Sequence, residues 1–306
     1  MPIHLTYYLP ILFQEKLSSY VLALRPWSLS ASLIPTLLGC ALAVKLPLEK
    51  GQFSWIILLV TLLTVISVHC AGNVVNTYYD YVLGIDTSRR SDDRTLVDHI
   101  LSESELVSLG VMLYLVSSAG FILLSYISPA KMEHLAAVFF CGLSSSFLYS
   151  GCLGLKYTAL GDVLILMIFG PITVLFAFMS QTGRWEWATI LYALPVALNT
   201  EAILHSNNTR DLENDRQVGI VTVAILLGQS YSHVYYAFLL FIPYILFVVW
   251  GMNHSAYYLL PLVTLKSAFS IEKQFRCPET INLVPKLTAK LNLYFGFLYV
   301  VAVCLA

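Results

Sequence analysis

Long apolar runs, separated by short polar stretches, occupy most of the chain. The runs are close to twenty residues long and show no strict alternation of apolar and polar positions. A helix needs about 20 apolar residues to cross a bilayer, whereas a barrel strand needs about ten with strict alternation. The pattern therefore predicts an all-α polytopic membrane protein with about nine transmembrane helices. The predicted spans are 22–44, 54–77, 105–127, 133–153, 160–181, 186–206, 231–251, 255–271 and 290–306.

The apolar run from Gly219 to Gly228 is too short to count as a further span. Ten helical residues cover about 15 Å, which is half of the hydrocarbon thickness. We expect a short helix near the membrane surface there. A bundle of this size accounts for residues 1–306 as one domain, with residues 1–17 as a short N-terminal tail.

The composition agrees with a membrane protein. The chain is 58% hydrophobic and 11% charged, whereas soluble domains average about 25% charged residues. The net charge of -1 gives no reason to expect a nucleic-acid partner. Membrane lipid is the expected surrounding of most of the chain.

The distribution of positive charge predicts the orientation. With nine spans, most of the 17 Lys and Arg residues fall on the side that carries the N-terminus. An excess of Lys and Arg marks the cytoplasmic side of a membrane. Two polar stretches, from Asn76 to Thr95 and from Asn207 to Asp215, open on that same side.

The spacing within these two stretches predicts a metal site. Asn76 and Asp80 are four residues apart, and Asn207, Asp211 and Asp215 repeat that step twice. Residues four apart share one face of a helix. Carboxylate and amide oxygens suit Mg²⁺, which uses one or two carboxylates and completes its shell with water and phosphate. We predict that the two stretches face each other and bind one diphosphate through Mg²⁺.

Basic residues near the two stretches, and the remaining acids, leave alternatives open. Arg94, Lys156 and Arg210 are candidates to neutralise the phosphate charge that the metal leaves. Either stretch alone is also compatible with an ordinary solvated loop. In that interpretation Asp92 and Asp93 form salt bridges with Arg89, Arg90 or Arg94.

A cation-coupled transporter is the rival class, since acidic residues within membranes mark ion pathways. A transporter places its acids near the middle of the bilayer. The acids of this chain lie at the ends of the predicted spans, which favours an enzyme that binds a diphosphate.

Four segments resemble the UbiA superfamily of intramembrane prenyltransferases. The two long ones are GNVVNTYYDYVLGIDTSRRSDDRTLVD at 72–98 and NTEAILHSNNTRDLENDRQVGIVTVAILLG at 199–228. The shorter ones are LALRPWSLSASLIP at 22–35 and FLYSGCLGLKYTALGD at 147–162. The closest resemblance is to a eukaryotic branch that makes menaquinone-4. It implies a nine-helix bundle around a central cavity, with cytoplasmic cap loops.

The resemblance also implies the site residues. The Mg²⁺ ligands would be Asn76, Asp80 and Asp86 from the first stretch and Asn207, Asp211 and Asp215 from the second, with the four Asp residues catalytic. The substrate-binding residues would be Arg25, Asn73, Asn76, Arg94, Tyr149, Lys156, Asn207, Asn208 and Arg210. One departure concerns Thr77, since many bacterial members carry Asp directly after the first Asn.

The activity that the resemblance implies is Mg²⁺-dependent transfer of a geranylgeranyl group from its diphosphate to a quinol such as menadiol. The alternative acceptor is 4-hydroxybenzoate, as in ubiquinone synthesis, and a sterol or isoprenoid sensor is a third alternative. The base that removes the ring proton stays open between Asp215 and a diphosphate oxygen. The resemblance further implies the endoplasmic reticulum or Golgi membrane and a membrane-protein partner from the sterol pathway.

Overall fold

Helices build almost all of the part of the chain that the computed structural model describes, which comprises residues 16–46, 53–87 and 93–306. The main helices are α1 (Lys16–Ser28), α2 (Ser30–Lys45), α3 (Trp55–Val82), α4 (Glu103–Ile127), α5 (Met132–Leu148), α6 (Leu160–Thr182), α7 (Ala188–Arg210), α8 (Leu212–Gln217), α9 (Val223–Asn253), α10 (Leu265–Phe275) and α11 (Val284–Leu305).

The helices confirm the predicted class of architecture. By length and hydropathy, five described helices can cross a membrane, namely α3, α4, α6, α9 and α11 with its preceding turn. Helices α1 and α2 add a sixth crossing if the bent pair is one span. Helix α5 is short and apolar, and α7 carries buried polar residues such as Asn199 and His205. The chain is thus an all-α, multi-pass membrane protein, and nine crossings stay a prediction.

The predicted span 22–44 is bent and is not one straight helix. Helices α1 and α2 meet at an angle of 59°. Arg25 adopts a left-handed conformation with φ of 51°, and Pro26 follows it. Proline disfavours helical geometry in the residue before it and has no N–H to donate, so the helix breaks there. The break turns Arg25 toward the interior of the bundle.

Two helices continue beyond their predicted ends. Helix α3 runs to Val82 instead of residue 77, and α7 runs to Arg210 instead of residue 206. Hydropathy locates the end of the apolar run, but the backbone hydrogen bonds of a helix do not depend on side-chain polarity. The polar residues Asn76, Asp80 and Asn207 therefore lie on rigid helix ends.

The later elements also differ from the predicted bounds. The short helix expected near 219–228 begins at Val223 and continues into the rest of α9 across a break at Gly228, where φ is 67° and ψ is 171°. The predicted span 255–271 begins as 3₁₀ turns over Ala256–Thr264 before α10 starts. Helix α11 starts at Val284, ahead of the predicted residue 290.

A close contact between α6 and α7 fixes one wall of the interior. A π-helical turn at Ile168–Ile172 contains Pro171 and interrupts α6. Gly170 lies so near Ala197 of α7 that a β-carbon at position 170 would collide with the alanine methyl group. Small residues let membrane helices approach closely. This contact sets the bent α6 against the polar helix α7.

The C-terminal end of α3 is closed by a glycine turn. Gly84 has φ of 71°, and its N–H donates to the carbonyl of Tyr81 at 3.0 Å. The N–H groups of Ile85 and Asp86 both donate to the carbonyl of Asp80, at 2.9 and 3.0 Å. This is the Schellman arrangement, in which glycine adopts the left-handed position. The turn brings Asp86 back beside the end of the helix that carries Asp80.

Replacement of Gly84 by alanine is expected to lower stability by about 1–2 kcal/mol, because a β-carbon is strained at this φ. No atom lies within 4 Å of the added carbon, so the strain is purely conformational. The matched control is Gly142→Ala, which is also unobstructed but lies within α5. Thermal unfolding in detergent measures both variants. Equal melting temperatures for the two would contradict the role of this turn.

Candidate functional site

A cavity of about 600 Å³ opens between α3, α5, α6 and α7, and both polar stretches border it. All of the predicted site residues line it: Arg25, Asn73, Asn76, Asp80, Asp86, Arg94, Tyr149, Lys156, Asn207, Asn208, Arg210, Asp211 and Asp215. The fold therefore brings the two stretches to one place.

The remainder of the cavity wall is largely apolar. Helix α5 contributes Val138, Phe139 and Leu143, and α6 contributes Ile172 and Phe176. These residues belong to one hydrophobic cluster with the first turns of α3, at the opposite end of that helix from its polar last turns. The cavity thus has a charged region and an apolar region, and one ligand can contact both.

The first half of the charged region is built on the last turns of α3. Asn76 and Asp80 are 7% and 4% exposed and lie on one face of the helix. The ammonium group of Lys156 donates to the Asn76 carbonyl oxygen at 2.9 Å and forms a salt bridge with Asp80. Ser150 donates to Asn76 at 2.8 Å, and Tyr157 donates to Asp80 at 3.0 Å. A positive charge therefore already lies between these two oxygen donors.

The second half follows the end of α7. The N–H of Asp211 donates to the carbonyl of Asn207 at 3.0 Å, and the N–H of Asp215 donates to that of Asp211 at 2.9 Å. The predicted step of four residues is thus a real helical step, although α7 ends between them. Arg210 donates two hydrogen bonds, of 2.8 and 2.6 Å, to the carboxylate of Asp211.

Electrostatics show that the two halves act on each other. Burial, together with the negative charge of Asp211, raises the pKa of Asp215 to about 6. This pKa of about 6 already includes a lowering by the charge of Lys156 and a raising by the charge of Asp80. Residues of the first stretch are therefore near enough to change the ionisation of a residue in the second.

Asp93 forms a different ion pair from the one expected. The sequence suggested Arg89, Arg90 or Arg94 as its partner, but its carboxylate binds Arg25 at 2.7 Å. Arg89, Arg90 and Asp92 lie outside the described residues. Arg25 reaches Asp93 because the chain bends between α1 and α2. Hydropathy does not predict that bend.

The environment of Asp93 keeps its carboxyl group ionised. Burial alone would raise the pKa of Asp93. The charge of Arg25 and hydrogen bonds from Thr77 and Thr95 outweigh burial and hold that pKa well below its usual range.

Four of the predicted substrate-binding residues also have partners within the protein. Asn73 donates to the carbonyl of Leu24 at 3.0 Å and to Ser28 at 3.1 Å, which fastens the bend. A second set of contacts joins Asn208 to Asp162 at 3.5 Å, Arg94 to Asp98 at 2.8 Å, and the ring of Tyr149 to Gly161. These residues shape the cavity wall besides facing its interior.

The donor set fits a metal that arrives with phosphate. Within the described ranges, no three His, Cys, Asp or Glu residues lie close enough to hold a metal by themselves. Asp80 and Asp211 each have a basic partner instead. Mg²⁺ rarely uses a cage made only of protein ligands and keeps water and substrate oxygens in its shell. Carboxylate and amide oxygens around one cavity satisfy that preference.

The cavity wall also includes residues outside the predicted site. His69 lies two turns before Asn76 on α3, where its ring contacts Ser32 at 2.9 Å and packs on Phe169. Its helical spacing from Asn73 and Asn76 favours a hydrogen-bonded packing residue, and these contacts confirm that interpretation. Lys286 lies 5.2 Å from the ring of Trp27 and also lines the cavity. No signal marks Lys286, because the packing of α11 on α2 brings it there.

The chain belongs to the UbiA prenyltransferase family, whose model matches residues 32–301. It is 63% identical over 291 residues to "UbiA prenyltransferase domain-containing protein 1 homolog" of Drosophila melanogaster, and the alignment covers 95% of this chain and 80% of that protein. It is 53% identical over 293 residues to "UbiA prenyltransferase domain-containing protein 1" of Danio rerio, and that alignment covers 96% of this chain and 86% of the relative. The protein is therefore an intramembrane prenyltransferase, as the sequence motifs predicted.

A solved structure shares the fold. The structure of a UbiA homolog from Archaeoglobus fulgidus bound to GPP and Mg²⁺ aligns with a TM-score of 0.59 at 17% identity. The alignment covers 94% of this chain and 100% of the other. Membership of a prenyltransferase family favours the enzyme over the cation-coupled transporter.

The Lys156–Asp80 pair is expected to carry a large energetic coupling. Lys156→Met leaves the buried Asp80 carboxylate without its ammonium partner, and breaking such a pair costs about 3–5 kcal/mol. The double variant with Asp80→Asn removes both charges and is expected to recover part of that loss. Unfolding of the single and double variants in detergent gives the coupling energy.

The exposed Arg94–Asp98 pair is the matched control, since exposed ion pairs contribute little. Its two side chains are 39% and 43% exposed. A coupling for Lys156–Asp80 no larger than that of the control would show that the buried pair does not hold the first half of the site.

Proposed function

We propose that this protein transfers a geranylgeranyl group from its diphosphate to a naphthoquinol such as menadiol, which yields menaquinone-4. The observation that carries the proposal is the division of one cavity into a charged region and an apolar region. That division suits a prenyl diphosphate, whose head is an anion and whose tail is a hydrocarbon. The acceptor and the chain length rest on the resemblance of the motifs to the menaquinone-4 branch.

Binding of the diphosphate engages both stretches. Asn76, Asp80 and Asp86 on one side, and Asn207, Asp211 and Asp215 on the other, are the residues that would hold Mg²⁺. When bound, Mg²⁺ neutralises the diphosphate and stabilises it as a leaving group. Lys156 and Arg210 supply charge-assisted hydrogen bonds to the phosphate oxygens.

The reaction breaks the bond between the first prenyl carbon and the diphosphate oxygen. The resulting allylic cation must meet the acceptor before water reaches it, and the apolar cavity wall excludes water. Tyr149, Trp27 and Phe169 line the cavity, and aromatic rings can stabilise positive charge. A carbon of the quinol ring forms the new bond and then loses its proton, either to Asp215 or to a diphosphate oxygen.

The charged end of the cavity faces the cytoplasm in this proposal. Most Lys and Arg residues fall on that side when the predicted spans are placed in a membrane. The host membrane is then the endoplasmic reticulum or the Golgi, and residues 1–306 act as one catalytic domain. A membrane-protein partner from the sterol pathway stays a prediction of the resemblance.

The direct test supplies purified protein with geranylgeranyl diphosphate and menadiol, with and without Mg²⁺, and identifies the product by mass. Menaquinone-4 is expected only when Mg²⁺ is present. A product with 4-hydroxybenzoate but none with menadiol would replace the proposed acceptor. The absence of product with either acceptor would overturn the proposed reaction.

Removal of one carboxylate from either half is expected to abolish the transfer. Asp80→Ala and Asp211→Ala should each lower kcat by at least about 10²-fold, the usual cost of losing a group that stabilises charge in the transition state. Glu213→Ala, in an exposed ion pair with Arg216 outside the cavity, is the control and should retain activity. Normal product formation by either cavity variant, inserted at the level of the control, would exclude that residue from the site.

A further inference from the structure

Arg25 brings a guanidinium group to the cavity wall at the bend between α1 and α2. Its side chain is 22% exposed, and the cavity is the space that it borders. A cation in this position would ordinarily attract an anionic part of a ligand. The contacts of Arg25 determine whether that charge is available.

Asp93 neutralises this charge. Its carboxylate accepts hydrogen bonds from Nη2 and Nε of Arg25, at 2.7 and 3.3 Å. The hydroxyl of Thr77 donates to the same carboxylate oxygen at 2.6 Å and accepts from Arg25 Nη2 at 3.2 Å. The backbone N–H of Thr95 binds the other oxygen at 2.9 Å. The ion pair is thus fixed by three separate segments of the chain.

The pair lies on a different side of α3 from the proposed diphosphate site. Lys156 reaches Asn76 and Asp80, which are one turn apart on the helix. Arg25 and Asp93 reach Thr77, the next residue along, whose side chain leaves the helix about 100° further round. A ring bound beside the diphosphate on this side meets the Arg25–Asp93 pair.

Polar but uncharged groups surround the same part of the wall. Ser28, His69 and Asn73 line the cavity and form a connected set of hydrogen bonds. Hydroxyl and imidazole groups of this kind bind the hydroxyls of a quinol without any need for net charge.

We propose that Asp93 determines the class of acceptor, because it cancels the charge of Arg25 and so fits the cavity to an uncharged aromatic ring. This inference rests on the proposed prenyl transfer and narrows its second substrate to rings without a carboxylate. A ring carboxylate placed beside the Arg25–Asp93 pair would lose its water and gain no unshared cation from that pair. Discrimination of this kind is large when a buried charged group is left without a partner.

The test compares two acceptors that differ at one ring position. Menadiol carries a methyl group where 1,4-dihydroxy-2-naphthoate carries a carboxylate. Equilibrium binding of both is measured by calorimetry under reducing conditions, with wild type and Asp93→Asn. Wild type is expected to bind menadiol at least about tenfold more tightly than the naphthoate. Asp93→Asn is expected to shift the ratio of the two affinities about tenfold toward the naphthoate.

Matched variants distinguish an effect of the charge on residue 93 from an effect on folding. Asp93→Glu keeps the charge and is expected to keep the wild-type preference, whereas Arg25→Gln combined with Asp93→Asn should lose the gain in naphthoate binding. Glu213→Gln makes the corresponding change on an exposed ion pair whose arginine, Arg216, does not line the cavity, and it should leave the ratio unchanged. If Asp93→Asn does not fold, Thr77→Val weakens the same ion pair and should shift the ratio in the same direction by less.

The ratio of the two binding affinities is measured independently of catalytic turnover. An unchanged affinity ratio in a folded Asp93→Asn or Thr77→Val variant would overturn the inference, even if wild type makes menaquinone-4. Failure of wild type to form any product would instead count against the proposed reaction. In steady-state assays the shift is expected in KM for the naphthoate more than in kcat, since Asp93 acts through Arg25.

Discussion

A charge inside a membrane protein must have a partner, and this constraint organises the site. Acidic and basic residues line the cavity in equal number within the described part of the chain: Asp80, Asp86, Asp93, Asp211 and Asp215 against Arg25, Arg94, Lys156, Arg210 and Lys286. A buried charge without a partner is costly. The pairs Lys156–Asp80, Arg210–Asp211 and Arg25–Asp93 reduce that cost and hold the side chains in place before any ligand arrives.

The helices supply the rigidity that these pairs need. Asn76 and Asp80 lie within the last turns of α3, and the backbone steps from Asn207 through Asp211 to Asp215 continue those of α7. Groups placed at helix ends stay close to the polar face of the membrane while the helices themselves enclose an apolar space. A ligand with an anionic head and a hydrocarbon tail matches this division of the cavity.

Local spacing made much of the site predictable. The step of four residues placed Asn76 with Asp80 and Asn207 with Asp211, because helical geometry follows directly from sequence distance. The meeting of the two stretches followed from counting spans and from the motif resemblance. Hydropathy also predicted the all-α membrane fold, although it misplaced the ends of α3 and α7, where polar residues remain helical.

Features that depend on tertiary packing were beyond such reasoning. The bend at Pro26 turns Arg25 toward Asp93, although Arg25 was not among the partners that local spacing suggested for Asp93. Lys286 reaches the cavity only because α11 packs against α2, and no motif surrounds it. The spacing of residues in the sequence predicts which of them share a helix face, but not which distant helix packs against that face.

The two polar stretches are proposed to share one ligand. The most direct measurement is calorimetric binding of a non-hydrolysable geranylgeranyl thiodiphosphate with Mg²⁺ to wild type, Asp80→Asn and Asp211→Asn. One molecule should bind per protein in wild type, and each substitution alone should weaken that binding at least about tenfold. Full affinity in either variant would mean that its half of the cavity does not hold the diphosphate, which would contradict a shared site.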